Sequence, residues 1–533
     1  MAINTRSPHF ESIDFAAMSY GILQVFIWTG NKSNVFSQVP TNPTYTLRKS
    51  AITPASGNPS VSFETSELIR DYLDTAFDGD YTGQGVWVKH ILTAYNSSNA
   101  VLFSKQNLQI AFDGYSYFEQ ENIKEQSPML SNKKLFVLED NTFRVPLYTE
   151  LNPTVVFLKD DEIIANQTFN DSFESSEQIK YVSIYGDNEN WDTFKERVLE
   201  NGGTSYEPNN CLKAYFNSYS IGAVDEVRVS YKDFGSELIP SVDLLGSSWF
   251  NGGTVPSSTV IAGSQLSPLY DALAYRVTSP AGNNGYASTV GIQETTDGSD
   301  YTVSVWLKGS GSTQIRFQEL GDDYTTYFSK TITLTSNWTK YDVTGTKGVD
   351  GNPSRLVIIS VGSAALDVSV YEPSIKEFYG IKTDVINVET LQECKYEPKK
   401  VTFVNKYGAL QDMYFFKKAV ERMNVEKESY KSNILDSNMS YSRSNHVYRD
   451  FNVVGKESIT LSSGFLSEEY NEVFKQMMLS EKVWITNITD DGEQVLPINV
   501  KTGDITYKTS LNDKLVQYTI EFDNSFDTIN NIR

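Results

Sequence analysis

The stretch Tyr301–Gly309, with the sequence YTVSVWLKG, decides the fold of its surroundings because apolar and polar residues alternate along it. Successive side chains of a β-strand point to opposite faces of the sheet, so every second residue is predicted to share one buried face. These predicted core residues are Tyr301, Val303, Val305 and Leu307. The same parity places Trp306 on the opposite face, together with Thr302 and Ser304.

Further short runs of strand type follow this stretch, with turn residues between them. They are Gln314–Gln318, Thr331–Leu334, Asn337–Tyr341, Arg355–Ser360 and Leu366–Val370. Together they predict a jelly-roll-like β-sandwich. Charge falls and Ser, Thr and Gly become frequent from Ser241 to about Phe378, which predicts that residues 241–378 form a separate domain inserted into the chain.

The whole chain is expected to be mainly β. Its 533 residues correspond to roughly three or four domains of about 150 residues each. Aromatic residues make up 13% of the chain, and this composition favours strands over helices. The predicted fold class is therefore a set of multidomain β-sandwiches with a few short helices, including the jelly-roll-like insert.

Three helices are predicted from apolar residues that recur at helical spacing. They cover Thr65 to about Phe77 with Thr65 as N-cap, Asn190–Asn201, and a segment capped by Ser467 that buries Tyr470, Val473, Phe474, Met477 and Met478. Near the end of the chain, Val516–Phe522 alternates cleanly and is predicted to be one strand.

The charge of the chain limits its partners. Acidic residues outnumber basic ones, 67 to 45, and the formal net charge is −22. Because contacts with phosphate dominate affinity for nucleic acid, this charge argues against direct nucleic-acid binding.

No run of about 20 apolar residues is present, so no membrane span is expected. The N-terminal residues lack the pattern of a signal peptide, which predicts assembly in a cytoplasm.

The segment Lys395–Tyr430, KYEPKKVTFVNKYGALQDMYFFKKAVERMNVEKESY, contains a predicted tight turn at Asn405–Gly408 in which Gly408 takes a positive φ. Its pattern of a strand, F-V-N-x-Y-G-A and an apolar-charged run resembles tail proteins of bacteriophages that infect Bacteroidetes-type hosts. The segments Ser463–Ile485 and Leu496–Asn531 resemble the end of the same family, in the same order.

This resemblance implies a three-part organisation and a set of partners. Residues 1–240 form an N-terminal β-rich tail-structural region of two subdomains, residues 241–378 the insert, and residues 379–533 a C-terminal β-rich tail-protein domain. The implied partners are other tail proteins and further copies of the chain in a ring. The implied location is the tail of the virion, after assembly in the host cytoplasm.

The insert carries a second resemblance. Its runs YTVSVWLKG, NWTKY and ALDVSV are similar to β-sandwich carbohydrate-binding modules found in glycanases and phage tail proteins. The resemblance implies a host-surface glycan as ligand, and it places Trp338 in the core of the module.

Residue patterns that carry catalysis are scarce. The histidines are His9, His90 and His446, and no two lie within metal-ligand spacing in the sequence. Carboxylate pairs lie in predicted loops, and the acidic stretch Asp297–Asp300 offers oxygen ligands without a Ca²⁺-loop pattern. The chain is therefore expected to have no enzymatic activity, no catalytic residues and no cofactor, and a metal site stays unassigned. Two carboxylates placed across a cleft, as in a glycosidase, remain an alternative.

The candidate ligand-binding residues lie in the insert. If Trp306 faces away from the core, it offers a sugar ring an apolar platform, and Arg316 and Gln318 face away from their own core neighbours by the same parity. Tyr324 and Tyr327 are expected to form a rim. The predicted carbohydrate site is Trp306, Arg316, Gln318, Tyr324 and Tyr327. The alternative is that Trp306 packs under a neighbouring domain or subunit.

Two functions follow from these observations. The first is a structural component of a phage tail, at the tail tip or in a baseplate ring, with a glycan-binding module for host attachment. The second is a free carbohydrate-binding or glycan-cleaving protein. Secretion and a cleft with paired carboxylates favour the second function, whereas a multi-subunit ring favours the first.

Overall fold

The structure is a computed structural model, and it describes most of the chain. The described residues are 2–32, 38–73, 76–116, 125–138, 142–185, 224–239, 250–252, 259–266, 273–279, 286–289, 295–321, 324–361, 365–391, 395–435, 437–489, 492–504 and 515–527. Within them lie 32 strands in several sheets and two α-helices. The predicted mainly β fold with few helices is confirmed. No helix in these ranges is long and apolar enough to cross a membrane.

The N-terminal part is a five-stranded sheet covered on one face by a two-stranded ribbon. Its elements are β1 (Ile3–Asn4), β2 (Phe10–Asp14), β3 (Tyr20–Trp28), β4 (Tyr45–Ser50), β5 (Ser60–Glu64), α1 (Ser66–Arg70), β6 (Gly85–Tyr95) and β7 (Val101–Phe112). The sheet has the order β1-β7-β6-β3-β4, and β2 pairs with β5 to form the ribbon. Alternate residues of β2, β3 and β5 are buried between the two layers, as strand periodicity requires.

A second group of strands follows. It comprises β8 (Lys134–Leu138), β9 (Thr142–Tyr148), β10 (Thr154–Lys159), β11 (Glu162–Thr168), β12 (Ile179–Tyr185) and β13 (Glu226–Glu237), with 3-10 helices at Thr149–Leu151 and Ser175–Glu177. The pair β9–β12 stands apart as a two-stranded sheet, while β11, β10 and β13 continue into the strands of the next region.

The central region is a sandwich of two sheets. Its strands are β14 (Phe250–Gly252), β15 (Thr259–Leu266), β16 (Leu273–Ser279), β17 (Tyr286–Ser288), β18 (Asp300–Gly309), β19 (Ser312–Glu319), β20 (Thr326–Thr333), β21 (Thr339–Thr346), β22 (Ser354–Ser360) and β23 (Leu366–Leu391). One sheet has the order β14-β17-β22-β19-β20, and the other contains β15, β16, β18, β21 and β23. The expected core residues Tyr301, Val303, Val305 and Leu307 are buried between them, together with Ile315 and Phe317.

The long strand β23 joins the sandwich to its surroundings. Its first half pairs with β16 and β18, and its second half pairs with β13 and β8. The expected boundary between residues 378 and 379 therefore falls inside one continuous strand.

The C-terminal part is a seven-stranded sheet with one packed helix. Its elements are β24 (Lys399–Val404), β25 (Leu410–Phe415), β26 (Val420–Lys431), β27 (Tyr448–Ser462), β28 (Leu466–Ser467), α2 (Tyr470–Leu479), β29 (Val483–Thr489), β30 (Gly492–Val500), β31 (Leu515–Val516) and β32 (Thr519–Asn524). The order is β25-β24-β29-β30-β32-β27-β26, so β26 forms the edge. The core of this sheet is continuous with that of β8, β9 and β10.

The predicted turn in the C-terminal signature is confirmed at Gly408, whose φ is +81°. The Asn405 side chain is fully buried, and its Oδ1 accepts the N–H groups of Tyr407 and Ala409 at 3.0 and 3.1 Å. A Cβ at Gly408 would lie 2.7 Å from the Cβ of Phe112. The signature is therefore a turn that docks against the end of β7, where only glycine fits.

The helices differ from prediction in extent. Helix α1 ends at Arg70, and Phe77 lies beyond it and packs edge-on against Trp484, 5.7 Å between ring centroids. Thr65 makes no side-chain cap. Ser467 does not cap α2 either, since it pairs with Leu515 in a short bridge. The predicted helix at residues 190–201 lies outside the described residues.

The apolar stripe of α2 is buried as predicted at Tyr470, Val473, Phe474 and Met477, while Met478 is partly buried. The predicted strand Val516–Phe522 is wrong as a single element, because Val516 pairs with Leu466 and the β32 ladder begins at Thr519. Tyr518, Ile520 and Phe522 are nevertheless buried on the expected face.

Candidate functional site

Trp306 faces away from the sandwich core, as its parity predicts, but its ring is covered. It stacks on Phe173 with 5.6 Å between ring centroids and an angle of 27°. Tyr371 and Ala274 complete the buried part of the same cluster. This is the packing under a neighbouring part of the chain that the sequence left as the alternative to ligand contact.

Trp338 also belongs to this outer cluster. The resemblance to carbohydrate-binding modules placed Trp338 in the sandwich core, but that core is built from other residues. Trp338 is only partly buried and packs in the cluster of Trp306. It lies just before β21, where the chain is outside the two sheets, and the core placement is therefore corrected.

Arg316 and Gln318 face away from the core on the other sheet. Their neighbours Ile315 and Phe317 on β19 are fully buried against the β18 residues. Since the inner faces of the two sheets face each other, Trp306 leaves the sandwich on one side and Arg316 and Gln318 leave on the other. The structure therefore does not bring Trp306 into one site with these two residues.

The outer surface of the sheet around β19 carries two hydrogen-bonded groups of polar side chains, with the apolar residues Val357 and Ile359 on the same face. We call it the β19 face, and its polar residues include Ser288, Gln314, Arg316, Gln318, Ser329 and Arg355. Along β19, Arg316 Nε donates to Gln314 Oε1 at 2.6 Å, and Gln314 Nε2 donates to Ser329 Oγ at 3.1 Å. Burial lowers the pKa of the Arg316 guanidinium, which still carries its charge at neutral pH.

Arg355 organises the other half of the β19 face. It lies opposite Gln318 in the ladder of β19 and β22, and it is only 7% exposed. Its Nη1 donates to Ser288 Oγ at 3.3 Å, and its Nη2 donates to Gln318 Oε1 at 3.2 Å. A buried guanidinium with fixed partners holds the neighbouring side chains in place.

Tyr324 lies at the rim of the β19 face. Its ring is 52% exposed and is centred 5.1 Å from the Arg355 guanidinium carbon. Its backbone φ is +50°, a conformation that residues other than glycine adopt rarely and at a cost of about 1–3 kcal/mol. Strain of this kind persists only where the surroundings hold it in place.

The loop that carries Tyr324 is fixed at both ends. Gln318 Nε2 donates to the Tyr324 carbonyl at 2.6 Å, and the Thr325 N–H donates to Glu319 Oε2 at 3.2 Å. Asn352 Nδ2 donates to the other oxygen of Glu319 at 2.5 Å. These bonds hold the backbone of Tyr324 and Thr325 in place beside the exposed ring, which lowers the entropic cost of binding.

Tyr327 does not join the rim. Its ring contacts Phe317 on the core side, with 5.7 Å between centroids, and its hydroxyl donates to Asp350 Oδ2 at 2.6 Å. Burial raises the pKa of the Tyr327 hydroxyl, and the hydrogen bond to Asp350 adds to the shift. Tyr327 therefore supports the end of the sandwich from within.

The acidic loop at Asp297 is held by an ammonium group of the chain itself. Lys347, which is buried, forms ion pairs with Asp297 and Asp350. The Gly351 N–H also donates to Asp297 Oδ2 at 2.7 Å. These hydrogen bonds lower the pKa of both carboxyl groups, with Lys347 the largest cause for Asp297 and Tyr327 for Asp350.

The β19 face thus combines three of the five predicted residues, Arg316, Gln318 and Tyr324, with residues that the sequence analysis missed. Gln314 shares the parity of Arg316 and could have been found from it. Arg355 could not have been found from the sequence. Val357 and Ile359, which share its parity, are apolar, so this strand shows no alternation of polar and apolar residues. The histidines His9 and His90 were also set aside on sequence spacing, yet the fold brings them together around Glu11.

The chemistry of the β19 face suits a hydroxyl-rich ligand. Gln314, Arg316 and Ser329 are partly or fully exposed and can donate hydrogen bonds to a ligand or accept them, whereas Ser288, Gln318 and Arg355 are buried and bond to one another. An exposed tyrosine ring offers an apolar surface to the C–H side of a sugar ring. Binding sites of this kind join a flat aromatic surface to a few placed polar groups.

No protein-family model matches the chain, and no curated protein matches it. Solved structures match part of it. The N-terminal cellulose-binding domain of Cellulomonas fimi β-1,4-glucanase C is 16% identical, and the match covers 29% of this chain and 100% of that domain with a TM-score of 0.19. The CBM22-1 xylan-binding domain of Paenibacillus barcinonensis Xyn10C is 13% identical over 27% of this chain and 95% of that domain, with a TM-score of 0.20.

A phage protein is also among the similar structures. The enzymatically active domain of tailspike protein 4 of bacteriophage CBA120 is 14% identical, and the match covers 25% of this chain and 19% of that domain with a TM-score of 0.21. Values this low carry no inference about ligand, activity or assembly. The chain is thus similar in part to carbohydrate-binding β-domains and to a tailspike domain.

Proposed function

We propose that the chain is a structural component of a bacteriophage tail whose sandwich holds a host-surface glycan on the β19 face. In this proposal the protein has no catalytic role, is assembled in the host cytoplasm and acts in the virion. The observation that carries the glycan-binding part is the Tyr324 ring, which is open to solvent above Arg355. The sequence resemblance of the C-terminal part supports the location in a tail.

An exposed β-hairpin supports the structural role. We call it the arm: β26, the loop after it and the first half of β27, residues 420–454. All twelve residues of β26 are exposed, and within the part of the chain that the structure describes β26 pairs only with β27. Several apolar residues of the arm are exposed as well, namely Val420, Met423, Val425, Tyr430, Leu435, Met439, Tyr441, Tyr448 and Phe451.

Such an arm needs a partner. An edge strand of twelve residues spans about 40 Å and presents a row of backbone groups that another chain can pair with. Monomeric proteins rarely leave so many apolar side chains on one extended element. The partner we propose is the next copy of the same chain, since a contact between different surfaces of identical subunits forms a ring when the rotation between neighbours closes.

Glycan binding is tested with the full chain and polysaccharide purified from the host surface. Tyr324→Ala should weaken binding roughly tenfold, which corresponds to about 1.4 kcal/mol. Tyr379→Ala is the matched control, since Tyr379 on β23 is 58% exposed and lies outside the β19 face. Isothermal titration calorimetry gives both affinities. An equal loss of glycan affinity in Tyr324→Ala and Tyr379→Ala, or no glycan binding by the wild type, contradicts the glycan-binding part of the proposal.

Assembly is tested by the mass of the particle in solution. The wild type should form a multi-subunit species, and the double variant Met423→Asp, Val425→Asp should dissociate it because it places charge at exposed apolar positions of the arm. The control is Asn424→Asp, Ser429→Asp, which adds the same charge at polar positions of the arm. A wild type that stays monomeric at high concentration favours the second function, a free carbohydrate-binding protein.

A further inference from the structure

The N-terminal part contains a cluster of histidine and glutamate side chains outside the β19 face and the arm. His9 directly precedes β2, Glu11 lies on β2, and His90 lies on β6 of the five-stranded sheet. One ligand atom from each of the three lies within 4.8 Å of the other two. Among the residues that the structure describes, no other group of three or more such side chains meets this condition.

The spacing of the ligand atoms fits a tetrahedral ion. His9 Nε2 lies 3.5 Å from Glu11 Oε1, and His90 Nδ1 lies 3.4 Å from the same oxygen. Ligands at about 2.0–2.1 Å from a tetrahedral Zn²⁺ are separated from one another by about 3.4 Å. The two imidazole rings are stacked at an angle of 23°, with their centroids 5.8 Å apart.

The hydrogen bonding of the cluster is incomplete. His90 is 1% exposed, and neither of its ring nitrogens has a hydrogen-bond partner. His9 Nε2 is buried without a partner as well. Buried polar atoms are normally satisfied, and an exception in a folded protein calls for an explanation such as an ion. Two ring nitrogens that converge on one carboxylate oxygen have the arrangement of metal ligands.

The rest of the Glu11 carboxylate is held by side chains of β7. Lys105 Nζ lies 3.2 Å from Oε2, and Asn107 Nδ2 donates to Oε1 at 3.3 Å. Asn107 Nδ2 also donates to Gln109 Oε1 at 2.8 Å, so it has a partner that does not depend on Glu11. Lys105 therefore plays the part of an outer group that orients a ligating carboxylate.

We propose that His9, Glu11 and His90 bind one divalent transition-metal ion of the Zn²⁺ type, with water as the fourth ligand. Imidazole nitrogen and carboxylate oxygen are donors that Zn²⁺ accepts in this number and geometry. The ion joins the β2–β5 ribbon to the five-stranded sheet, since Glu11 and His90 belong to these two layers. An ion that binds only the folded state stabilises that state.

The experiment uses the full chain after removal of metal with a chelator, titrated with ZnCl₂ by calorimetry and with CoCl₂ as an optical probe of tetrahedral geometry. The expected result is one ion per chain and a rise in melting temperature on addition of Zn²⁺. His9→Gln should weaken Zn²⁺ binding at least tenfold and abolish the thermal shift. His446→Gln is the matched control, since His446 is exposed on the arm, and it should bind like the wild type.

Two further measurements keep the proposal open to refutation. The circular dichroism spectrum of metal-free His9→Gln should match that of the metal-free wild type, because His9 is partly exposed. Glu11→Gln keeps the shape of the side chain and should show the same loss of Zn²⁺ binding as His9→Gln. MgCl₂, which prefers oxygen ligands, should give no thermal shift. Absence of Zn²⁺ binding in the wild type, or equal binding by the wild type and His9→Gln, overturns the proposal.

Discussion

The two outer faces of the sandwich differ in what covers them. On the β18 side, Trp306 points outward and is stacked on Phe173 from a distant part of the chain. On the β19 side, Tyr324 points outward above Arg355 and its ring is open to solvent. Both faces carry an outward aromatic ring, but only one leaves that ring free. Strand parity therefore distinguishes inside from outside, while tertiary packing distinguishes a buried contact from an available surface.

The largest effect that tests this comparison is expected at Trp306. Trp306→Ala removes a partly buried ring from its cluster and should lower the free energy of unfolding by about 3 kcal/mol. Glycan binding by the protein that remains folded should not change. Chemical denaturation and calorimetric titration measure the two quantities. The control is Lys308→Ala, on the same side of β18. A Trp306→Ala protein that is as stable as the wild type but no longer binds glycan would contradict the assignment of Trp306 to a packed, covered face.

A smaller loss of stability is expected at Arg355, on the open face. Arg355→Ala leaves Gln318 and Ser288 without their buried donor and should cost about 2 kcal/mol of unfolding free energy. It should also weaken glycan binding, because the Tyr324 ring loses its support. Arg355→Lys keeps the charge without the planar fork and serves as the comparison variant. Unchanged binding in both variants contradicts the role given to Arg355.

Substitutions of Tyr324 should change glycan binding and should not lower the free energy of unfolding. Tyr324→Phe keeps the ring and should bind within about twofold of the wild type, while Tyr324→Gly should lose roughly tenfold. Because glycine adopts a positive φ without strain, Tyr324→Gly should unfold at the same denaturant concentration as the wild type or slightly above it. A large loss of stability in Tyr324→Gly means that the ring packs on the protein and does not serve a ligand.

The smallest effect is the pairwise coupling on the covered side. Comparison of Trp306→Ala, Phe173→Ala and the double variant should give a coupling of about 1 kcal/mol in unfolding free energy, the usual value for a stacked aromatic pair. The same cycle between Trp306 and Tyr324 should give no coupling, since they lie on opposite sides of the sandwich. Coupling between Trp306 and Tyr324 contradicts the separation of the two faces.

The elements that strand alternation describes well were predictable, and those that depend on distant contacts were not. The inward residues of β18 and β19 and the apolar stripe of α2 follow from local periodicity. The contact of Phe77 with Trp484, beyond the end of α1, joins distant parts of the chain, and no local pattern contains it. In the same way, Phe173 covers Trp306 from a part of the chain that sequence cannot place.

The candidate site was predictable in part for the same reason. Arg316 and Gln318 follow from the parity of β19, and Tyr324 from its position in the loop after that strand. Arg355 lies in RLVIIS, where apolar residues occupy both faces, so its direction is invisible in the sequence. His9 and Glu11 are two residues apart and share a strand face, but their meeting with His90 depends on how the ribbon packs on the sheet.

Hydrogen exchange of the full chain, with and without saturating host-surface polysaccharide, tests the central claim most directly. The account predicts that the glycan slows amide exchange in peptides that cover residues 312–326, which include β19 and the loop of Tyr324. Peptides that cover residues 303–309 should exchange at the same rate with and without glycan. Protection of β18 around Trp306, with none in residues 312–326, would contradict the assignment of the β19 face.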